Sequence, residues 1–167
     1  MSTDAAGRRF RHLAIVLLLG CAVAGCRTSP TPRLEAVCEG VPVVQRVTLS
    51  VDSLRPTAGV ELHEIRGERY ELVLTLLPAP RPGSCADRSG EATWQGFLPD
   101  ALARATAGPG TASWDVSGTN VHVRLNPRVA DNNLSLTLPL AGDEGRWDLS
   151  TFVGTIAGGR VILANRR

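Results

Sequence analysis

The chain has 167 residues and a formal net charge of +2. Its 18 basic residues are all arginine, set against 16 acids, and three of them gather at positions 8, 9 and 11. Beyond those three no basic block or stripe stands out, which excludes a nucleic-acid surface built on charge.

In chain order, residues 1–12 carry Arg8, Arg9 and Arg11 against Asp4, and an unbroken apolar run follows over 13–25. A basic start and a run of that length have the form of a signal peptide. The run is shorter than the roughly 20 apolar residues that a membrane-spanning helix needs. Its end reads Val23-Ala24-Gly25-Cys26, which resembles the lipobox of bacterial lipoproteins: an aliphatic residue, two small ones, then the cysteine. In that family the cysteine becomes the first mature residue and carries the lipid. Leu18-Leu19-Gly20-Cys21 matches less well, because Leu19 is large where a small residue is usual. The resemblance implies a cleaved leader over 1–25, lipidation of Cys26, export, and a membrane partner through the N-terminal lipid. Arg27 stands where an aspartate would favour inner-membrane retention in enteric bacteria, so the resemblance implies the periplasmic side of the outer membrane. Removing the leader leaves fifteen arginines and fifteen acids, and the apparent positive charge vanishes.

Residues 26–35, with "RTSPTPR" over 27–33, read as a flexible tether, and 36–167 as one domain with one core. Cys21 leaves with the leader and Cys26 is acylated, so Cys38 and Cys85 remain. In an exported domain they invite one disulfide, the alternative being two separate buried thiols. Neither belongs to a CxxC pair, which leaves redox catalysis without support.

Alternation with a period of two predicts half-buried strands at 43–51, 70–76, 120–125 and 133–140. Weaker strand candidates lie at 60–66, 92–98, 111–117, 146–153 and 160–164. Turn signals stand at Arg66-Gly67-Glu68-Arg69, Ser117-Gly118-Thr119-Asn120 and Ala157-Gly158-Gly159. One helix is predicted over 100–107, capped by Asp100 and ended by Gly108. Eight or nine short strands with one short helix predict an all-β domain, a single antiparallel sandwich or barrel, with the choice between them open. Trp114-Asp115-Val116-Ser117 echoes Trp147-Asp148-Leu149-Ser150 too weakly to make a repeat.

Catalytic signals are sparse. His122 falls on the polar side of its predicted strand, and His63 sits near Glu61 and Glu64 with no second histidine at metal-ligand spacing. No nucleophile elbow, S-x-x-K motif or phosphate-binding glycine loop is present. Asp131-Asn132-Asn133 offers too few oxygens for calcium, and no cofactor or metal is called for. Trp94, Trp114 and Trp147 would line a ligand cavity if they surrounded the mouth of a barrel, or else plug its core. Trp94-Gln95-Gly96-Phe97-Leu98-Pro99 resembles a stretch of copper-responsive envelope-stress lipoproteins. Those carry a cysteine pair after the proline where Asp100-Ala101-Leu102 stands here, so no metal role follows. The segment 78–91 has no periodicity, and Cys85 would pin it as a loop suited to partner contact. The expectation is a lipid-anchored envelope lipoprotein whose domain is a non-enzymatic interaction or structural module, with an envelope protein as partner. A barrel carrying a small apolar ligand is the alternative, and a hydrolase with an unrecognised site the second.

Overall fold

The computed structural model describes residues 34–78, 85, 88–129 and 131–164. The predicted leader, Cys26 and the tether through Arg33 lie outside the described residues, as does most of the predicted loop after Pro78. A 3-10 helix at Leu34–Glu39 leads into β1 (Val43–Ser50), β2 (Ser53–Leu54), α1 (Val60–Glu64), β3 (Arg69–Leu76) and β4 (Ser89–Gly96). Then follow α2 (Asp100–Ala103), β5 (Ala112–Ser117), β6 (Asn120–Arg124), β7 (Asn133–Pro139), β8 (Glu144–Thr151) and β9 (Gly154–Leu163).

Apart from two-residue β2, which pairs only with β9, each strand pairs antiparallel with the next one along the chain. The sheet then closes on itself: Val47 faces Leu163, Thr48 faces Ile162 and Leu49 faces Val161. That pairing resolves the open choice, and the protein is a closed eight-stranded antiparallel barrel with β2 as an added strand. Closure removes the exposed edges a sheet of this length would otherwise present.

The period of two decides which side of each strand is which. Val43, Val47, Leu49, Leu72, Leu74, Leu76, Val121, Val123, Leu134, Leu136 and Leu138 all point inward and are fully buried. Between them Arg46, Glu71, Glu91, Ser113, Arg124, Thr137 and Arg146 alternate on the outer wall. A lipid-facing barrel shows the reverse, an apolar band outside. One core therefore fills the barrel and the wall around it is mostly polar, with Val44 and Ile162 as exposed apolar residues on it.

Both ends are covered. At the near end, where the chain enters, the 3-10 helix buries Leu34 and Val37 in the core. A disulfide joins its Cys38 to Cys85 in the β3–β4 connection, with the Cα atoms 5.1 Å apart. Leu34 and Glu35, read from sequence as tether, belong to this helix. At the far end Leu62 of α1 and Leu98, Leu102 and Ala105 around α2 are buried. The segment after α2 is stitched to the barrel: Ala107 N–H donates to the Leu125 carbonyl and Leu134 N–H to that of Ala105. Glu61 and Arg104, 2.9 Å apart, join the two short helices.

Three expectations are corrected. The predicted strand at 60–66 is α1, because the connection between adjacent β1 and β3 has to cross the barrel end. A helical turn meets its backbone hydrogen bonds locally, with Leu62 and His63 N–H both donating to the Gly59 carbonyl. The predicted helix over 100–107 stops after one turn at Ala103, and the chain beyond it is held to the barrel instead, with Ala107 N–H donating to the Leu125 carbonyl just after β6 and the Ala105 carbonyl accepting from Leu134 of β7. Asp100 does not cap it; the Pro99 carbonyl accepts from Leu102 and Ala103 instead. The Ala157-Gly158-Gly159 turn is strand, inside β9, and the chain reverses at Phe152-Val153, between Thr151 and Gly154. Ser117-Gly118-Thr119-Asn120 is the tight β5–β6 turn, with Gly118 at φ 60°, a value glycine takes without strain.

Where β2 meets β9, Asp52 is a small polar clasp. Its Oδ2 accepts from the Ser50 hydroxyl at 2.8 Å, from Arg160 N–H at 3.1 Å and from Arg160 Nε at 3.2 Å. Partial desolvation pushes this carboxyl up, but the Ser50 and Arg160 hydrogen bonds and the Arg160 charge outweigh it and hold it below the ordinary aspartate value. A carboxyl depressed on folding adds stability above its unfolded pKa, and that stability is lost as pH falls through the folded pKa. The clasp is therefore intact at neutral pH and loosens in acid. An NMR titration is expected to place the Asp52 midpoint below that of an unfolded aspartate, and Ser50→Ala to move it upward; coincident midpoints would remove the clasp.

Candidate functional site

All three tryptophans point inward and are 1–2% exposed within the core. Two use one device. Trp114 on β5 lies opposite Gly90 on β4, and its indole crosses that glycine to donate to the Leu77 carbonyl at 2.8 Å. Trp147 on β8 lies opposite Gly159 on β9 and donates across it to the Ser50 carbonyl, also at 2.8 Å. A Cβ on Gly90 would stand 2.7 Å from the Trp114 indole nitrogen, so only glycine leaves the passage open. The device pins the end of β3 at the near end of the barrel and the end of β1 at the far end. It also explains the echo between the two tryptophan segments. The glycine lies on the preceding strand in one case and on the following strand in the other, so the echo reflects a shared packing solution. Trp94 sits opposite Leu74, and its indole nitrogen has no hydrogen-bond partner among the described residues.

A cavity of about 640 Å³ borders Trp114 on the β4–β5–β6 side, lined also by Leu77, Pro78, Gly90, Glu91 and Arg124. Its size is that of a small-molecule site. Arg124 pairs with Asp115 at 3.0 Å across the β5–β6 ladder, so the wall is partly self-neutralised. His122 faces Asp115 on β5 and Thr137 on β7, with its Nδ1 3.2 Å from the Thr137 hydroxyl. The strand register thus puts an acid, an imidazole and a hydroxyl side by side on the outer wall. His63 is elsewhere, exposed on α1, while its neighbour Glu61 is engaged by Arg104. Among the described residues no three His, Cys, Asp or Glu side chains gather as metal ligands.

The far end carries what sequence reading missed. Phe152 is 85% exposed, Phe97 75% and Val60 74%, with Val153 and Val129 also exposed. Each sits in a connection at the far end: Phe152 and Val153 form the β8–β9 tip, Phe97 follows β4, Val129 lies between β6 and β7, and Val60 begins α1. After the predicted leader these are the chain's two phenylalanines, and both stand in water while every tryptophan is buried. Phe152-Val153 could have been found as an apolar pair at a hairpin tip, a place that usually takes polar residues. The mistaken turn at 157–159 hid it.

No protein-family model, curated protein or solved structure matches the chain.

Proposed function

We propose that the protein is an exported lipoprotein, held to the periplasmic side of the outer membrane by lipid on Cys26, whose barrel is a non-enzymatic interaction module. The lipobox supports the anchor, and the covered, core-filled barrel supports the module. The observation that carries the reading is the mainly aliphatic and tryptophan filling of the inward positions along the barrel strands, with buried Gln45 a polar member of the β1 row. A wall of hydrogen-bonded strands around such a core is a rigid body, and recognition by a rigid body happens on its outside. The near-end helix, where residues 26–33 join the domain, supports a tether leaving from that end.

Cys26→Ser tests the anchor. The variant is expected to keep its leader and to carry no lipid; processing like that of wild type would refute it. A second reading, a carrier of a small apolar ligand, draws on the cavity beside Trp114. Under that reading a bound lipophile shifts tryptophan fluorescence, and Trp114→Phe abolishes most of the shift. Unchanged fluorescence across a lipophile panel would end it.

A further inference from the structure

We propose that the β8–β9 tip, Phe152 and Val153 with the Arg55 guanidinium beside them, docks on an anionic phospholipid bilayer. Phe152 and Val153 are the two residues of the reversal, both exposed, between the paired Thr151 and Gly154. The last residue pairs that β8 and β9 make with their outer neighbours are Asn133–Ser150 and Leu54–Ala157, so the tip rises past both. Its shape is held locally: the Thr151 hydroxyl donates to the Gly154 carbonyl, and Gly154 takes φ 98°, which glycine adopts without a Cβ penalty. From the β2 side, Arg55 N–H donates to the Ile156 carbonyl, and its Nη1 to the Val153 carbonyl at 3.3 Å. The guanidinium lies beside Gly154, where an added Cβ would stand 3.6 Å from it. One spot therefore presents a phenyl ring, an isopropyl group and a cation.

Charge and area name the occupant. Between Ser53 and Val60, and between Leu149 and Gly159, Arg55 is the only charged residue. The acids that flank these segments in sequence are Asp52, Glu61 and Asp148. Arg160 pairs with Asp52 and Arg104 with Glu61. Asp148 accepts from the Ser150 hydroxyl and lies four residues before Phe152, roughly 13 Å back along the strand. The tip itself is thus apolar and cationic, the chemistry that a lipid interface of negative surface potential attracts. There the guanidinium donates to lipid phosphate oxygens while the two side chains enter the acyl boundary. A protein partner fits the tip poorly. A stable interface buries about 800 Å² on each side, and one phenylalanine supplies roughly 150–250 Å². Two side chains reach that area only with the polar wall below them, whereas a bilayer takes the tip alone. None of this depends on lipid at Cys26.

Full-length chain in vesicles tests the tip, with Phe152→Trp as the probe, since the three native tryptophans are buried and give a constant background. In phosphatidylethanolamine–phosphatidylglycerol vesicles the added tryptophan is expected to shift to the blue and to be quenched by acyl-brominated lipid. Val44→Trp, an exposed position on the wall, should show neither effect. Adding Val153→Asp should abolish the quenching at 152. Adding Arg55→Gln should lower the inserted-to-free ratio of the tip about fivefold. Both additions should leave the thermal midpoint unchanged. Phosphatidylcholine vesicles should reproduce the Arg55→Gln loss, and the two losses should not add. No quenching at 152, equal quenching at 152 and 44, or insensitivity to Arg55→Gln would each overturn the proposal. So would a protein adduct formed in cells by p-benzoylphenylalanine at position 152, which would assign the tip to a protein partner. Vesicle flotation and the mass of the N-terminal peptide read the anchor separately. A lipidated chain that floats with an unquenched tip defeats the tip alone, and a quenched tip on a chain without lipid defeats the anchor alone.

Discussion

Trp147→Ala is expected to destabilise the barrel by about 3–5 kcal/mol, as truncating a large aromatic in a close-packed core does. Trp147 is 1% exposed, and its N–H is given to the Ser50 carbonyl. Trp147→Phe keeps a ring and loses that hydrogen bond, so its cost should be nearer 1–2 kcal/mol, about that of the bond with a small packing loss. Gly159→Ala should be as severe as Trp147→Ala, because the added Cβ would overlap the Ser50 carbonyl oxygen itself. The obstacle is backbone, at the seam where only three residue pairs join β1 to β9. Trp147→Phe should therefore not rescue Gly159→Ala. The matching pair behaves differently: a Cβ on Gly90 meets chiefly the Trp114 side chain, so Trp114→Phe should recover part of the loss in Gly90→Ala. Urea unfolding of the five single and two double variants checks this. Equal rescue at both glycines, or a cost below about 1 kcal/mol for Gly159→Ala, which falls short of ordinary overpacking, would contradict the clasp.

Loss of the Cys38–Cys85 disulfide is the second large effect. The cysteines are 47 positions apart, so the bridge restrains a long loop in the unfolded chain. Restraint of that size is worth about 4 kcal/mol. Cys38→Ser/Cys85→Ser should lower the unfolding free energy by about that amount, and reduction of wild type should do the same. Because the bridge also holds the helix that buries Leu34 and Val37, proteolysis of the double variant should begin at the near end, with the far end still protected. A midpoint that ignores reductant would show that the bridge does not form in solution.

The strands were legible where a period of two ran long enough to be unmistakable. The inward rows Val47-Leu49, Val121-Val123 and Leu134-Leu136-Leu138 follow from alternation alone. Closure was not legible, since it depends on Val47 finding Leu163 across most of the domain, and no local pattern records a long-range pairing. Val60 to Glu64 misled because Val60 and Leu62 alternate as a strand would, while the need to cap a barrel end turns them into a helix. Gly158 and Gly159 misled for the opposite reason. Glycine usually marks a turn, but here it keeps a strand free of side chains where an indole and a neighbouring strand's carbonyl must pass. The candidate surface was least legible of all. Attention to tryptophan, the largest apolar side chain, led into the core, and exposure of Phe97 and Phe152 emerges only once the connections are sorted to the two ends of the barrel.

The proposed lipid anchor at the entry end of the chain is read most directly at the N-terminus of the mature protein. Mass spectrometry of the N-terminal peptide from membrane-extracted protein is expected to begin at Cys26 and to carry the mass of a diacylglyceryl group with or without a further acyl chain. A mature chain beginning at Cys21, or one retaining the leader, or an unmodified Cys26, would contradict it.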